Sequence, residues 1–143
     1  MQVTICTANC VGQAGNCSYP NKVTVVTPEQ LQEAVKKDHV CAEFKGNYRS
    51  IENFIRSDVI VMDIDNDHTE VPADWITAEK LEELFPNVEY LLAPSRHHLL
   101  DKEGKSARPR YHMYFPISEI TDASGYASLK RAIQIAYSFF DGN

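Results

Sequence analysis

Val59-Ile60-Val61-Met62-Asp63-Ile64-Asp65 decides how the rest of the chain is read. Four apolar residues in a row, without polar alternation, mark a strand buried on both faces. The run ends in Asp-x-Asp. Residues i and i+2 of a strand point to one face, about 6.5–7 Å apart, so Asp63 and Asp65 aim together from one end of a buried strand. Two bare carboxylates placed this way repel, and one would take up a proton unless a cation intervenes. Oxygen-only ligation favours Mg²⁺ or Mn²⁺. Two such ions about 3.5–4 Å apart can activate a hydroxyl and steady a leaving oxygen in phosphoryl transfer. The competing reading is a strand running into an acidic turn, Asp65-Asn66-Asp67-His68.

Other phosphate and metal motifs fail on the same residues. An EF-hand loop from Asp63 needs Gly at position 68 and Glu at 74, where the chain has His68 and Asp74. Haloacid-dehalogenase phosphatases resemble the Asp-x-Asp run but want Thr at 67, which is Asp67 here. No Gly-rich phosphate loop occurs.

Outward from this strand, residues 2–8 and 22–26 alternate as strands, and residues 10–21 form a Gly/Asn/Ser/Pro loop. Thr27-Pro28-Glu29-Gln30 is a capping box that opens a helix. Residues 39–44 read as a third strand and 48–55 as a short helix capped by Ser50. Thr77 caps a helix through Phe85, and residues 88–93 form a second buried strand. After a long loop, 94–109, residues 111–115 form a strand closed by Pro116. Residues 124–140 make the longest helix, with Leu129, Ile133, Ala136 and Phe140 on one face and Gly142 as its stop. Interleaved strands and helices give one α+β or mixed α/β domain over 1–143.

The 143-residue chain is 43% hydrophobic and 24% charged, an ordinary globular composition. It has no membrane-length apolar run and no basic leader, so a cytoplasmic location is expected. Its net charge of −6 argues against nonspecific coating of nucleic acid. The charge is uneven: from Arg96 to His112, five cations face two anions, so this strip carries +3 and the remainder −9. Such a strip beside acidic metal ligands suits a phosphate-bearing ligand; its alternative is a solvated loop. On the strand that follows, Arg110, His112 and Tyr114 share a face, with His112 expected to point out of the core. Cys6, Cys10 and Cys17 are a weak Zn²⁺ cluster, because neither gap is a two-residue knuckle. Small buried or loop thiols are the expectation.

Several stretches taken together resemble the archaeo-eukaryotic primase superfamily, in the branch carried by bacterial phages and integrative elements. They are Met62-Asp-Ile-Asp-Asn-Asp-His68, Ser95-Arg-His-His98, Arg108-Pro-Arg-Tyr-His-Met-Tyr-Phe-Pro116, Phe139-Phe-Asp141 and Glu43-Phe-Lys-Gly-Asn-Tyr-Arg-Ser50. The resemblance implies an RRM-like sheet beside a small N-terminal α/β unit. It implies two-metal nucleotidyl transfer that makes primers on single-stranded DNA from nucleoside triphosphates, alongside a replicative helicase. Asp63, Asp65 and Asp141 match its metal ligands, and His97, His98 or His112 its histidine. Ser95, Arg96, Lys105, Arg108, Arg110 and Arg49 are the expected nucleotide and template contacts.

Two rival readings are a rolling-circle nickase, with Tyr126 or Tyr137 as nucleophile, and a catalytically inactive nucleic-acid-binding module. Phe139 and Phe140 are expected to have little to pack under in this chain. The 143 residues are therefore expected to be the N-terminal part of a longer protein, with Asp141 displaced or mobile without following chain.

Overall fold

The computed structural model describes residues 1–141. Two antiparallel sheets and three helices are arranged around the predicted central strand. The first sheet contains β1 (Val3–Thr7), flanked by β2 (Asn21–Val25) and β3 (His39–Val40). Helix α1 (Pro28–Ala34) follows β2 and begins at the predicted box: Thr27 accepts from the Gln30 amide while the Gln30 side chain accepts from the Thr27 amide. The second sheet has the order β4 (Glu43–Phe44), β5 (Phe54–Ile64), β7 (Tyr111–Ile120), β6 (Leu91–Pro94). Helix α2 (Ala78–Leu84) connects β5 to β6, which run parallel with β7 antiparallel between them; α3 (Ala123–Ala136) follows β7. The class is α+β with antiparallel sheets. Among the described residues, no helix is long and apolar enough to cross a membrane.

Strand β5 is covered on both sides, as its unbroken apolar run requires. Val59 and Val61 pack into a cluster with Val3, Ile5, Leu31 and Tyr114, beneath the first sheet and α1. Ile60, Met62 and Ile64 face the other way, into a cluster with Leu81, Phe85, Met113 and Phe115, against which Leu129 and Ile133 of α3 pack. Asp58 ties the two sheets together: its carboxylate accepts from the Thr4 amide and hydroxyl, each at 2.8 Å.

Four local readings are corrected. Residues 48–55 form no helix. Ser50 Oγ accepts from the Asn53 amide at 3.3 Å, as a cap would, but Phe54 and Arg56 pair with Phe44 and Glu43, so the sheet takes the backbone after one turn. Residues 39–44 split into β3 and β4, which belong to different sheets. Pro116 does not close its strand. It pairs with Val59 beside a register shift, where the ladder is already irregular and its missing N–H is tolerated. The last helix starts at the Asp122 cap and ends at Ala136, so Phe140 lies beyond it, while Gly142, read as the helix stop, lies outside the described residues.

The packing premise at the end of the chain is also overturned. Phe140 is buried, with its ring 4.5 Å from Phe139, 6.2 Å from Phe115 and 6.4 Å from Phe85.

The turn after β5 is built on Asn66. It is buried, in the left-handed region at φ 56°, where asparagine is tolerated better than most residues. Its side chain donates to the carbonyls of Ile76 and Pro109 at 2.9 and 2.8 Å and accepts from the Ile76 amide at 2.8 Å. Asn66→Ala removes all three bonds and adds a conformational penalty, so it should destabilise the chain by about 2–4 kcal/mol. Thr27→Ala, which removes only a helix cap, should cost about 1 kcal/mol. Urea unfolding midpoints of the two variants should separate accordingly; equal midpoints would mean the turn is not held by Asn66.

Candidate active site

Along β5 the face toward the first sheet is apolar at Val59 and Val61 and becomes polar at Asp63. The paired register repeats this change: Asp63 lies opposite His112, and His112 opposite Ala93, with Ser95 just past β6. The polar end of the sheet opens into a cleft of about 510 Å³ between the two sheets. Asp63 and Asp65 both line it, so the strand-end pair does share one opening.

Asp141 joins them. Its amide donates to the Asp63 carbonyl at 2.9 Å, and its Oδ2 accepts from the Asp65 amide at 2.7 Å. The expectation that Asp141 is displaced in this chain is therefore corrected. The buried ring of Phe140 sets the preceding residue, and the two backbone-directed bonds fix Asp141 itself. Burial raises the Asp141 carboxyl above its ordinary range; the Asp65 amide bond opposes this, and the charges of Asp65, Asp67 and Asp63 add to the rise. Carboxylates gathered this closely are oxygen donors in need of a counter-cation. The counter-cations here are side chains. Lys102 Nζ is 3.7 Å from Asp65 Oδ2, and Lys105 Nζ is 3.8 Å from Asp67 Oδ2. Nε2 of His112 lies 3.5 Å from Asp63 Oδ1.

The basic strip divides in two. Arg96 and Lys102 line the cleft, as do Ser95, His97 and Arg49. Arg49 also sits over the Tyr19 ring at 5.6 Å. Arg96 pairs with Asp38, whose carboxylate accepts as well from the amides of Gly12 and Gln13 at 2.8 and 2.9 Å. Those bonds, with Arg96, hold the Asp38 carboxyl well below its usual range.

Arg108 and Arg110 are corrected: both side chains are fully buried and neither lines the cleft. Arg108 donates to the carbonyls of Asn66 and Thr69 and to Glu70, and lies 5.0 Å above the Trp75 ring. Arg110 donates to the Asp65 carbonyl at 2.8 Å and to Asp67 at 2.9 Å; its Nε and second terminal nitrogen have no hydrogen-bond partner among the described residues. These two arginines carry the acidic turn from beneath. Spacing could not separate them from the exposed cations of the same loop.

The three histidines separate as well. His112 is beside Asp63 and His97 lines the cleft, whereas His98 accepts from the Arg110 amide at 3.0 Å and lies 4.9 Å from the Tyr111 ring, outside the cleft lining. His39 was read only as a strand residue. It lines the cleft, hydrogen-bonds the Tyr114 hydroxyl at 2.8 Å and lies 6.4 Å from the His112 ring. Lys102 and His39 were missed as site residues because neither lies in a motif. Of the two nickase nucleophiles, Tyr126 packs against the core that holds Phe85 and its hydroxyl donates to the Val59 carbonyl at 3.2 Å, while Tyr137 is exposed, with its ring 4.8 Å from Phe85.

The four cysteines are free thiols. Cys6 packs with Ala8 and Tyr19, Cys10 faces Asp38, and Cys17 faces the Gly15 carbonyl. Among the described residues, no three His, Cys, Asp or Glu side chains already converge in metal-ligand geometry. Burial pushes the Cys41 thiol up to about 12, which makes it unreactive.

Burial lowers the His39 imidazole below its ordinary value of about 6.5. The folded chain therefore binds this proton less readily than the unfolded chain. The stability this contributes is fully present above about pH 6.5 and is lost as pH falls through the folded value. His39→Gln should flatten the fall in urea midpoint between about pH 7 and 5 relative to the parent chain; parallel curves would show that His39 does not carry the shift. Comparison with known proteins finds no matching family model, no matching curated protein and no matching solved structure.

Proposed function

We propose that the chain is a metal-dependent nucleotidyltransferase of the primase-polymerase type, which extends a nucleic-acid strand on a single-stranded DNA template. The observation that carries this reading is the placement of Asp63 and Asp65 in one cleft with Arg49, Arg96 and Lys102, while Asp141 is bonded to the main chain of both. Acidic oxygen donors beside a basic wall suit a triphosphate bound through a hard divalent cation. The α+β class, with antiparallel sheets and α2 crossing between β5 and β6, is compatible with this reading.

The donors fit Mg²⁺ or Mn²⁺ in kind: Asp63 and Asp65 offer hard carboxylate oxygens to one cleft, with Asp141 bonded beside them. Asp63 and Asp65 would hold the cation, with Asp141 as a third ligand; when bound, it would neutralise charge on the phosphates. In the protein as described, Lys102 and Arg110 balance Asp65, so a cation and Lys102 compete for the same carboxylate. Lys102 is then free to turn to the phosphates it has helped admit. Arg96, released from Asp38, presents a fork to a phosphate. His112 orients Asp63 through the 3.5 Å contact.

The acceptor's 3′-hydroxyl oxygen bonds to the α-phosphorus of a nucleoside triphosphate, the bond from that phosphorus to the bridging oxygen breaks, pyrophosphate leaves with the electron pair, and the hydroxyl proton passes to water.

Asp63→Asn should lower nucleotide incorporation by at least about 100-fold with an unchanged circular dichroism spectrum. Lys102→Met should raise the apparent KM for nucleotide more than it lowers kcat. Incorporation of labelled nucleotide on single-stranded DNA with Mn²⁺ measures both. Incorporation that survives Asp63→Asn would sink the reading. Single-stranded DNA binding without any incorporation in the parent chain would favour the inactive module.

A further inference from the structure

A second cavity, of about 620 Å³, opens on the other side of Asp63 and His112. It shares His39, Arg49, Asp63 and His112 with the polar cleft, so the carboxylate–imidazole pair lies on the boundary of both. Its chemistry differs. Phe44, Phe54 and Tyr126 form an aromatic wall: Phe44 meets Phe54 edge-on at 6.1 Å, and Phe54 meets Tyr126 at 5.8 Å. Val61 and Cys41 add to the apolar lining. Two cations border it, Arg49 and Lys130, and among the described residues Lys130 has no ion-pair partner. Ile51 on the rim is 82% exposed, a large apolar side chain left in solvent beside the cavity.

Resting on the nucleotidyltransferase reading above, we infer that this aromatic trough is the acceptor site, which takes the 3′-terminal nucleoside of a single-stranded oligonucleotide. The base stacks among Phe44, Phe54 and Tyr126, and Ile51 covers it. Base-on-aromatic stacking tolerates any sequence, because every base has a π-face. Arg49 and Lys130 meet the phosphodiester that follows. The polarity follows from the reaction: the end of the ligand that reaches Asp63 is the 3′-hydroxyl, the group that attacks the α-phosphorus. The volume is in the range of ligand sites, about 300–1,000 Å³. The two cavities thus divide the substrates, triphosphate in the polar cleft and acceptor base in the aromatic trough, and the two meet at Asp63.

The test uses the 143-residue chain and a short single-stranded DNA carrying 2-aminopurine at its 3′ end, whose fluorescence falls on stacking. The substitutions are Ile51→Glu and Lys130→Glu together, both on side chains outside the two cores. Saturable quenching by the parent chain is expected, with Kd at least tenfold weaker in the double variant. The affinity for a fluorescent nucleoside triphosphate, titrated alone, should be unchanged. The same oligonucleotide with 2-aminopurine at its 5′ end should show little quenching. Equal Kd values in parent and variant, or equal quenching from both ends, would overturn the assignment. Because this assay reads binding, a chain that fails to incorporate nucleotide yet quenches the 3′ probe as expected would lose the nucleotidyltransferase reading and keep the trough. Incorporation that proceeds with an unaltered primer KM in the double variant would do the reverse.

Discussion

Everything in this molecule depends on the covering of β5 from both sides. Its alternate residues feed two separate cores, one under the first sheet and one under α2 and α3. A strand with no wet face can carry charge only where one of its covers stops. That happens at Asp63, where the first sheet no longer reaches it, and the cleft, its histidines and its cations are arranged around that gap. Asp58, six residues before the strand's end, sets where the first sheet docks, through its bonds to Thr4. The position of the opening is therefore a result of how two sheets are pinned together.

The acidic end is balanced by two kinds of cation. Arg108 and Arg110 are buried and bind main-chain carbonyls of the turn as well as its carboxylates. Lys102, Lys105 and Arg96 are partly exposed, and salt screens them. The first kind sets the shape of the turn, and the second sets what can approach it. Arg110 uses one terminal nitrogen for both the Asp65 carbonyl and the Asp67 carboxylate.

Features specified by neighbours in sequence were legible; those specified by distant contacts were not. The capping box at Thr27 and the cap at Thr77 depend on three or four residues, and both form as read. Burial of β5 is written in its own four apolar residues, and the meeting of Asp63 and Asp65 follows from strand period alone. The segment 48–55 carries a local helix signal that Phe44 and Glu43 override by pairing with it. Arg96 and Arg110 look alike in a basic loop, and only their distant partners, Asp38 for the first and Asp65 with Asp67 for the second, leave one at the cleft and bury the other. His39 belongs to no motif; its role as a cleft residue comes from a partner 75 positions away, Tyr114. Asp141 was legible as a candidate but not as a bonded one, since the ring that seats it, Phe140, packs on residues from two other elements.

The stitching of the acidic turn has a consequence for how the chain assembles. Arg108 reaches back 42 residues to Asn66, Arg110 reaches back 45 to Asp65, and the Asp65 amide waits for Asp141, 76 positions on. Closing such loops is entropically costly, and little local structure holds the turn beforehand. During synthesis β1, β2 and α1 can form early from near neighbours. The turn that bears Asp65 and Asp67 must wait for β7 and then for the residues after α3. The residues of β1, β2 and α1 can thus take shape as a scaffold first, and the negatively charged centre is completed only once Asp141 has emerged.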